Sequence, residues 1–161
     1  MHPDKKFMQM AIDKAIEGVD NGQSPFGACI VKNGEVITCD HNIVLLTTDI
    51  TAHGEINAIR NACKKLDNIH LNRCVIYSTC EPCPMCFGAI YWARPKAIYF
   101  ANTKDDATAI GFDDSFIYQQ LMLDYAQRKI PMQQLMHEQA MQAFSLWKEK
   151  KDKIDRVGGS A

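Results

Sequence analysis

Apolar residues recur at helical spacing near the start of the chain. Met8, Ile12, Ala15 and Val19 predict an amphipathic helix over residues 4–20. The stretch "NGQSPFG" (21–27) is dense in turn residues and reads as a loop. In "ACIVKNGEVITCD" two short apolar runs flank Asn33-Gly34, which predicts a β-hairpin with a type I′ turn. "HNIVLLTTDIT" (41–51) leads into a second helix, whose buried stripe is Ala52, Ile56, Ile59, Cys63 and Leu66, with Thr51 as candidate N-cap. "RCVIYST" (73–79) reads as a buried strand. Pro84 suits the first turn of a third helix, which Pro95 ends. "KAIYFA" (96–101) is a further strand, "PMQQLM" (131–136) a weaker one, and "EQAMQAFSLWKEK" (138–150) a closing helix. The alternation of helix and strand after the hairpin predicts one α/β domain, its sheet mostly parallel with helices on its faces. Right-handed crossovers would bring the starts of the second and third helices together at one sheet edge.

Composition adds bounds to this outline. The chain has 161 residues, 47% of them hydrophobic and 23% charged, which fits one globular domain with a sizeable core. A net charge of -1 supplies no overall field that would draw the protein to nucleic acid or a membrane. The basic run "KEKKDKIDR" (148–156) reads as a solvated helix end. The chain has no apolar run of the length a membrane span needs, about 18 residues. "MHPDKKFMQM" lacks the apolar core of a signal peptide, so the expected address is cytoplasmic. There are seven cysteines. Disulfides are rare in that compartment, where clustered cysteines more often bind metal or react.

The cluster is "TCEPCPMC" (79–86), with Cys80, Cys83 and Cys86 at even spacing. Cys83 and Cys86 fall at N-cap and N3 of the third helix, one turn apart on one face. The positive end of a helix favours the thiolates that a metal needs. A redox pair and two buried thiols without a role are the rival readings. "TAHGEINAI" (51–59) bears on the choice, because it places His53 and Glu55 at the start of the second helix. A histidine, a carboxylate two residues on, and P-C-x-x-C downstream is the zinc-deaminase signature. His53, Cys83 and Cys86 give three ligands and leave a fourth position open for water, with Glu55 as proton shuttle. Residues two apart on a helix point nearly opposite ways, so His53 and Glu55 converge only if His53 is not yet helical or the metal sits off the helix end. Were Cys80 a fourth ligand, the site would be closed and structural, and Glu55 would have no purpose beside it.

"SPFGACIVKNGEVI", "TAHGEINAIR", "CEPCPMCFGAIYWARPKAIYFA" and "GFDDSFIY" together resemble the bacterial guanine deaminases of the cytidine-deaminase-like superfamily. The resemblance runs from about residue 7 to about residue 135, and "GFDDSFIY" is its most specific part. It implies a three-layer α/β/α sandwich around a five-stranded mixed sheet. The domain is expected to span residues 1–154, with 155–161 as a tail that the composition of "GGSA" makes flexible. The resemblance also implies a homodimer, with C-terminal segment exchange as one form. Zn²⁺ would be held by His53, Cys83 and Cys86. Glu55 would move protons, Asn42 would hydrogen-bond the purine ring, and Phe26 and Trp92 would help wall the pocket. Asp114 would accept from guanine N1–H and the exocyclic amine, for which a carboxylate is the natural partner, and would also serve in catalysis. The product would be xanthine. Taken alone, Asn42 reads as a turn residue, Phe26 as core and Trp92 as packing.

Two departures stand out. Gly54 occupies a position where that family commonly has alanine, which should loosen the helix start by up to about 1 kcal/mol. The C-terminal "KEKKDKIDRVGGSA" has no aromatic residue to cover the site. Either Trp147 or Phe144 serves instead, or the substrate differs. Guanosine is the nearest alternative substrate. A tRNA adenosine deaminase would want a basic face, and a cytosine deaminase gives "GFDDSFIY" no work. No nucleic-acid or membrane partner is expected.

Overall fold

A computed structural model describes residues 3–150. The expected tail at 155–161 lies outside the described residues. The chain forms two compact units, one up to Asp114 and one from Ser115 onwards.

In the first unit, helix α1 (Lys5–Asp20) is capped by Asp4, whose side chain accepts from the Lys6 amide. Its buried face is Phe7, Ala11, Ala15 and Gly18, one step round from the expected stripe; Val19 is exposed. Small residues let the helix lie close on the sheet, and its larger side chains sit on the shoulders.

Strands β1 (Gly27–Lys32) and β2 (Glu35–His41) form the hairpin. Asn33 and Gly34 have φ of 52° and 84°, both positive as a type I′ turn requires. A four-residue helix α2 (Val44–Thr47) follows, then α3 (Gly54–Leu66), β3 (Cys74–Cys80), α4 (Pro84–Ala93), β4 (Ala97–Asn102) and α5 (Lys104–Ala109). α3 begins later than expected, and its N-cap is His53 rather than Thr51. Thr51 instead folds onto Asp49, whose Oδ1 accepts from both its amide and its hydroxyl.

Among the described residues the sheet has four strands, in the order β2-β1-β3-β4, not five. Only β3 and β4 are parallel neighbours; β1 is antiparallel to both β2 and β3. β2 and β3 run the same way, but β1 lies between them, so the sheet is mixed rather than mostly parallel. The segment 131–136 is not a strand. It opens on Pro131, which has no N–H for a ladder, and ends on Met136 in the left-handed region at φ 55°.

Side chains alternate between two cores. Ala28, Ile30, Cys74 and Ile76 pack with Ala58, Ala62, Ile90 and Ala93 of α3 and α4. Cys29, Val31, Val75 and Tyr77 pack with Phe7 and Ala11 of α1. The unit is therefore a three-layer α/β/α arrangement. The expectation that disulfides are rare meets one exception, because Cys29 and Cys39 are bonded. The hairpin register sets them directly opposite, with Cα atoms 4.0 Å apart. That proximity comes from the fold, and compartment reasoning does not foresee it.

The second unit holds α6 (Ser115–Leu121), a 3-10 turn (Tyr125–Gln127) and α7 (His137–Glu149). None of its described helices has a buried residue. No helix among the described residues is long and apolar enough to cross a membrane.

Candidate metal centre and cleft

The starts of α3 and α4 meet. His53 is the N-cap of α3 with extended backbone, φ -68° and ψ 158°, while Glu55 is in the first turn. This resolves the two-residue spacing, since the histidine leaves the chain before the helix sets its direction. Cys83 is the N-cap of α4 and Pro84 follows at the first helical position, which puts Cys86 at N3. His53 Nδ1 lies 3.6 Å from Cys83 Sγ and 3.5 Å from Cys86 Sγ. All three donor atoms fall within 4.8 Å of one another. One imidazole and two thiols at that separation, with no fourth protein donor in the group, suit a tetrahedral zinc that keeps one position open. Cys80 stands outside the group, and its thiol points to the carbonyl of Thr103 at 3.5 Å.

Electrostatics divide the thiols. Cys83 is held down at about 4, first by the hydrogen bond from Cys86 and then by His53. Cys86 is pushed up, chiefly because it keeps the proton that it shares with Cys83. Burial pushes Cys80 up to about 11. Glu55 is 6% exposed, and burial raises its carboxyl above the usual range. Its Oε1 accepts from Ser78 Oγ at 3.2 Å and its Oε2 from Cys86 Sγ at 3.5 Å.

A cleft of about 190 Å³ opens onto this centre. Phe26, Asn42, His53, Glu55, Cys83 and Asp114 all line it. Asn42 is anchored from both ends: its amide donates to the Phe26 carbonyl at 2.8 Å, and its Oδ1 accepts from the Val44 amide at 3.0 Å. Burial, then the neighbouring Cys83, raises the Asp114 carboxyl. Trp92 is elsewhere. It is 66% exposed on α4 and does not line the cleft. Phe112, which the sequence reading passed over, does line it, and the signal lay two residues before Asp114 in "GFDDSFIY". Gly54 also has a local reason. A Cβ there would stand 3.1 Å from the Phe26 carbonyl oxygen and 3.2 Å from Gly27 Cα. A separate cleft of about 350 Å³ between α1, β2 and α3 contains none of the candidate ligands.

Residues 1–102 match the model of the cytidine and deoxycytidylate deaminase zinc-binding region. The chain belongs to this zinc-binding deaminase family. Within it, the chain is 47% identical over 143 residues to a guanine deaminase of Bacillus subtilis, covering 88% of this chain and 92% of that one. It is 40% identical over 95 residues to a tRNA-specific adenosine deaminase of Aquifex aeolicus, covering 59% and 63%. The crystal structure of guanine deaminase from Bacillus subtilis superimposes with a TM-score of 0.93 at 43% identity, over 97% of this chain and 100% of that one. Family membership makes zinc the cofactor of this deaminase, with His53, Cys83 and Cys86 as the candidate ligand set.

Proposed function

We propose that the protein hydrolyses guanine to xanthine and ammonia. The observation that carries this reading is one cleft lined by His53 and Cys83 of the three-donor metal group, the buried Glu55, Asn42 and Asp114. The likeness to guanine deaminase supports it, since it extends over 88% of the chain, beyond the part shared with the tRNA-specific enzyme.

His53, Cys83 and Cys86 would hold zinc, which would supply the Lewis acidity that makes water a nucleophile near neutral pH. The chain does the rest. Asn42 has its Oδ1 engaged by Val44, which leaves its amide N–H groups to donate to a ring nitrogen. Asp114 accepts from guanine N1–H and the 2-amino group, and so orients the amine that leaves. Phe26 and Phe112 close over the apolar faces of the ring and exclude water. Glu55 takes a proton from the attacking water and delivers it to N3; it then takes the remaining proton of the added hydroxyl, as C2 becomes a carbonyl, and carries it to the amine, which leaves as ammonia. A carboxyl whose pKa is raised by burial holds a proton more readily than an exposed one, which suits a group that must both take and give protons.

The working unit in this reading is a homodimer that exchanges C-terminal segments. β4 ends the sheet with no strand on its outer side among the described residues, and the second unit exposes Phe116, Ile117, Leu121, Phe144 and Trp147. A monomer by light scattering would remove this part.

The test of the reaction is ammonia release by the zinc-loaded protein from guanine, guanosine, cytosine, adenine and a tRNA anticodon stem-loop. Guanine should lead, with xanthine as product. A zinc-loaded protein that leaves guanine untouched while turning over another of the set overturns the assignment.

A further inference from the structure

β3 presents a row of side chains to α3 and α4: Cys74, Ile76, then Ser78. The first two are packed in the core beneath those helices. Ser78 has the same parity and is 1% exposed. A buried hydroxyl at the end of an apolar row is unfavourable unless it is hydrogen-bonded. Its side-chain partner is Glu55, whose Oε1 it reaches at 3.2 Å. The Ser78 backbone is held on both sides, opposite Ala28 of β1 and Phe100 of β4. The hydroxyl therefore projects from a strand that is paired on both sides.

The two oxygens of Glu55 are not equivalent. Oε2 faces the metal donors through Cys86 Sγ at 3.5 Å. A Cys86 that ligates metal is a thiolate and has no proton to give, so Oε2 loses that donor. The Ser78 bond to Oε1 is independent of the metal.

We infer that Ser78 is the positioning residue of the proton shuttle: its hydroxyl pins Glu55 Oε1 to β3 and leaves Oε2 as the oxygen that takes and delivers protons. This rests on the proposed deamination. Ser78 touches neither substrate nor metal in this role; it restricts rotation of the Glu55 carboxylate. Misplacing a proton-carrying group slows turnover more than it weakens substrate binding, because Asn42, Phe26 and Asp114 are unaffected.

The experiment compares Ser78→Ala and Ser78→Thr with wild type. The readouts are kcat and KM for guanine, zinc per chain, and crystal structures of the zinc-loaded proteins. Ser78→Ala should lower kcat about 10- to 100-fold with KM within about threefold. Its zinc content should be full, and its Glu55 carboxylate should be rotated or split between positions. Ser78→Thr, which keeps a hydroxyl, should restore most of the turnover and a single Glu55 position. Unchanged kcat in Ser78→Ala with Glu55 in place overturns the inference. So does a loss shared by kcat, KM and zinc content, which would make Ser78 merely structural. If Ser78→Ala does not fold, Ser78→Cys carries the same comparison with a weak donor. A wild type inactive on guanine defeats the functional reading instead, and the Glu55 position in the crystals still decides the role of Ser78.

Discussion

Phe26 and Phe112 meet edge to face, with ring centroids 4.9 Å apart and planes at 89°. One ring comes from the loop before β1, the other from the loop after α5, and together they close the apolar side of the cleft. Such a pair contributes about 0.5–1.5 kcal/mol beyond its buried area. A guanine ring stacked on Phe112 would gain an aromatic contact of the same size, so Phe112→Ala should raise KM for guanine about 2- to 12-fold and leave kcat nearly unchanged. Steady-state kinetics check this; an unaltered KM would remove Phe112 from the substrate pocket.

Gly27 sets how closely α1 approaches β1. A Cβ there would collide with the Ala11 carbonyl oxygen and lie 2.8 Å from the Ala15 amide nitrogen, both backbone atoms that cannot swing aside. Gly27→Ala should lose about 1–3 kcal/mol of stability by overpacking. Urea unfolding measures it, and a variant as stable as wild type would show that the helix can shift freely. Gly54→Ala should be far milder, because its nearest contact is 3.1 Å.

Asp40 lies half-buried on β2, with Oδ1 accepting from Asn61 Nδ2 at 2.8 Å and Oδ2 without a partner among the described residues. Burial raises its pKa more than Asn61, Lys14 and His41 lower it. A carboxyl raised in the folded state favours folding below its unfolded value of about 3.9, and that advantage is lost as pH climbs through the folded value. Asp40→Asn should thus melt higher than wild type at pH 7, with the gap closing towards about pH 4. Thermal melts across this range decide it. A constant gap, or a less stable variant at neutral pH, rules the account out.

Removing the metal should expose one reactive thiol. With Cys83 held at about 4 and Cys80 raised to about 11, iodoacetamide should modify Cys83 first in the metal-free protein. Labelling of Cys83 should persist to about pH 5, where an ordinary thiol of pKa about 8.5 is almost fully protonated. Zinc should protect it. Peptide mapping that finds Cys80 or Cys63 modified ahead of Cys83 would contradict this ordering.

The metal set was legible because its chemistry is local: two thiols one turn apart, and a His-x-Glu at a second helix start. The hairpin was legible because Asn33-Gly34 demands two positive φ values. What escaped depended on packing between distant segments. β1 lies between β2 and β3 through pairings such as Ile30 with Ile76, which no periodicity in either strand reveals. The buried face of α1 was misread by one step because Ala11, Ala15 and Gly18 carry little hydrophobic signal, although they make the closest contact. Trp92 attracts notice by size and faces solvent, while Phe112 had no distinguishing local pattern beyond its neighbour Asp114.

The bond between Cys29 and Cys39 encloses the Asn33-Gly34 turn. A backbone cut at that turn would therefore release nothing. The piece carrying Phe26 and the piece carrying Asn42, His53 and Glu55 would still travel as one molecule, and would separate on a denaturing gel only after a reductant was added.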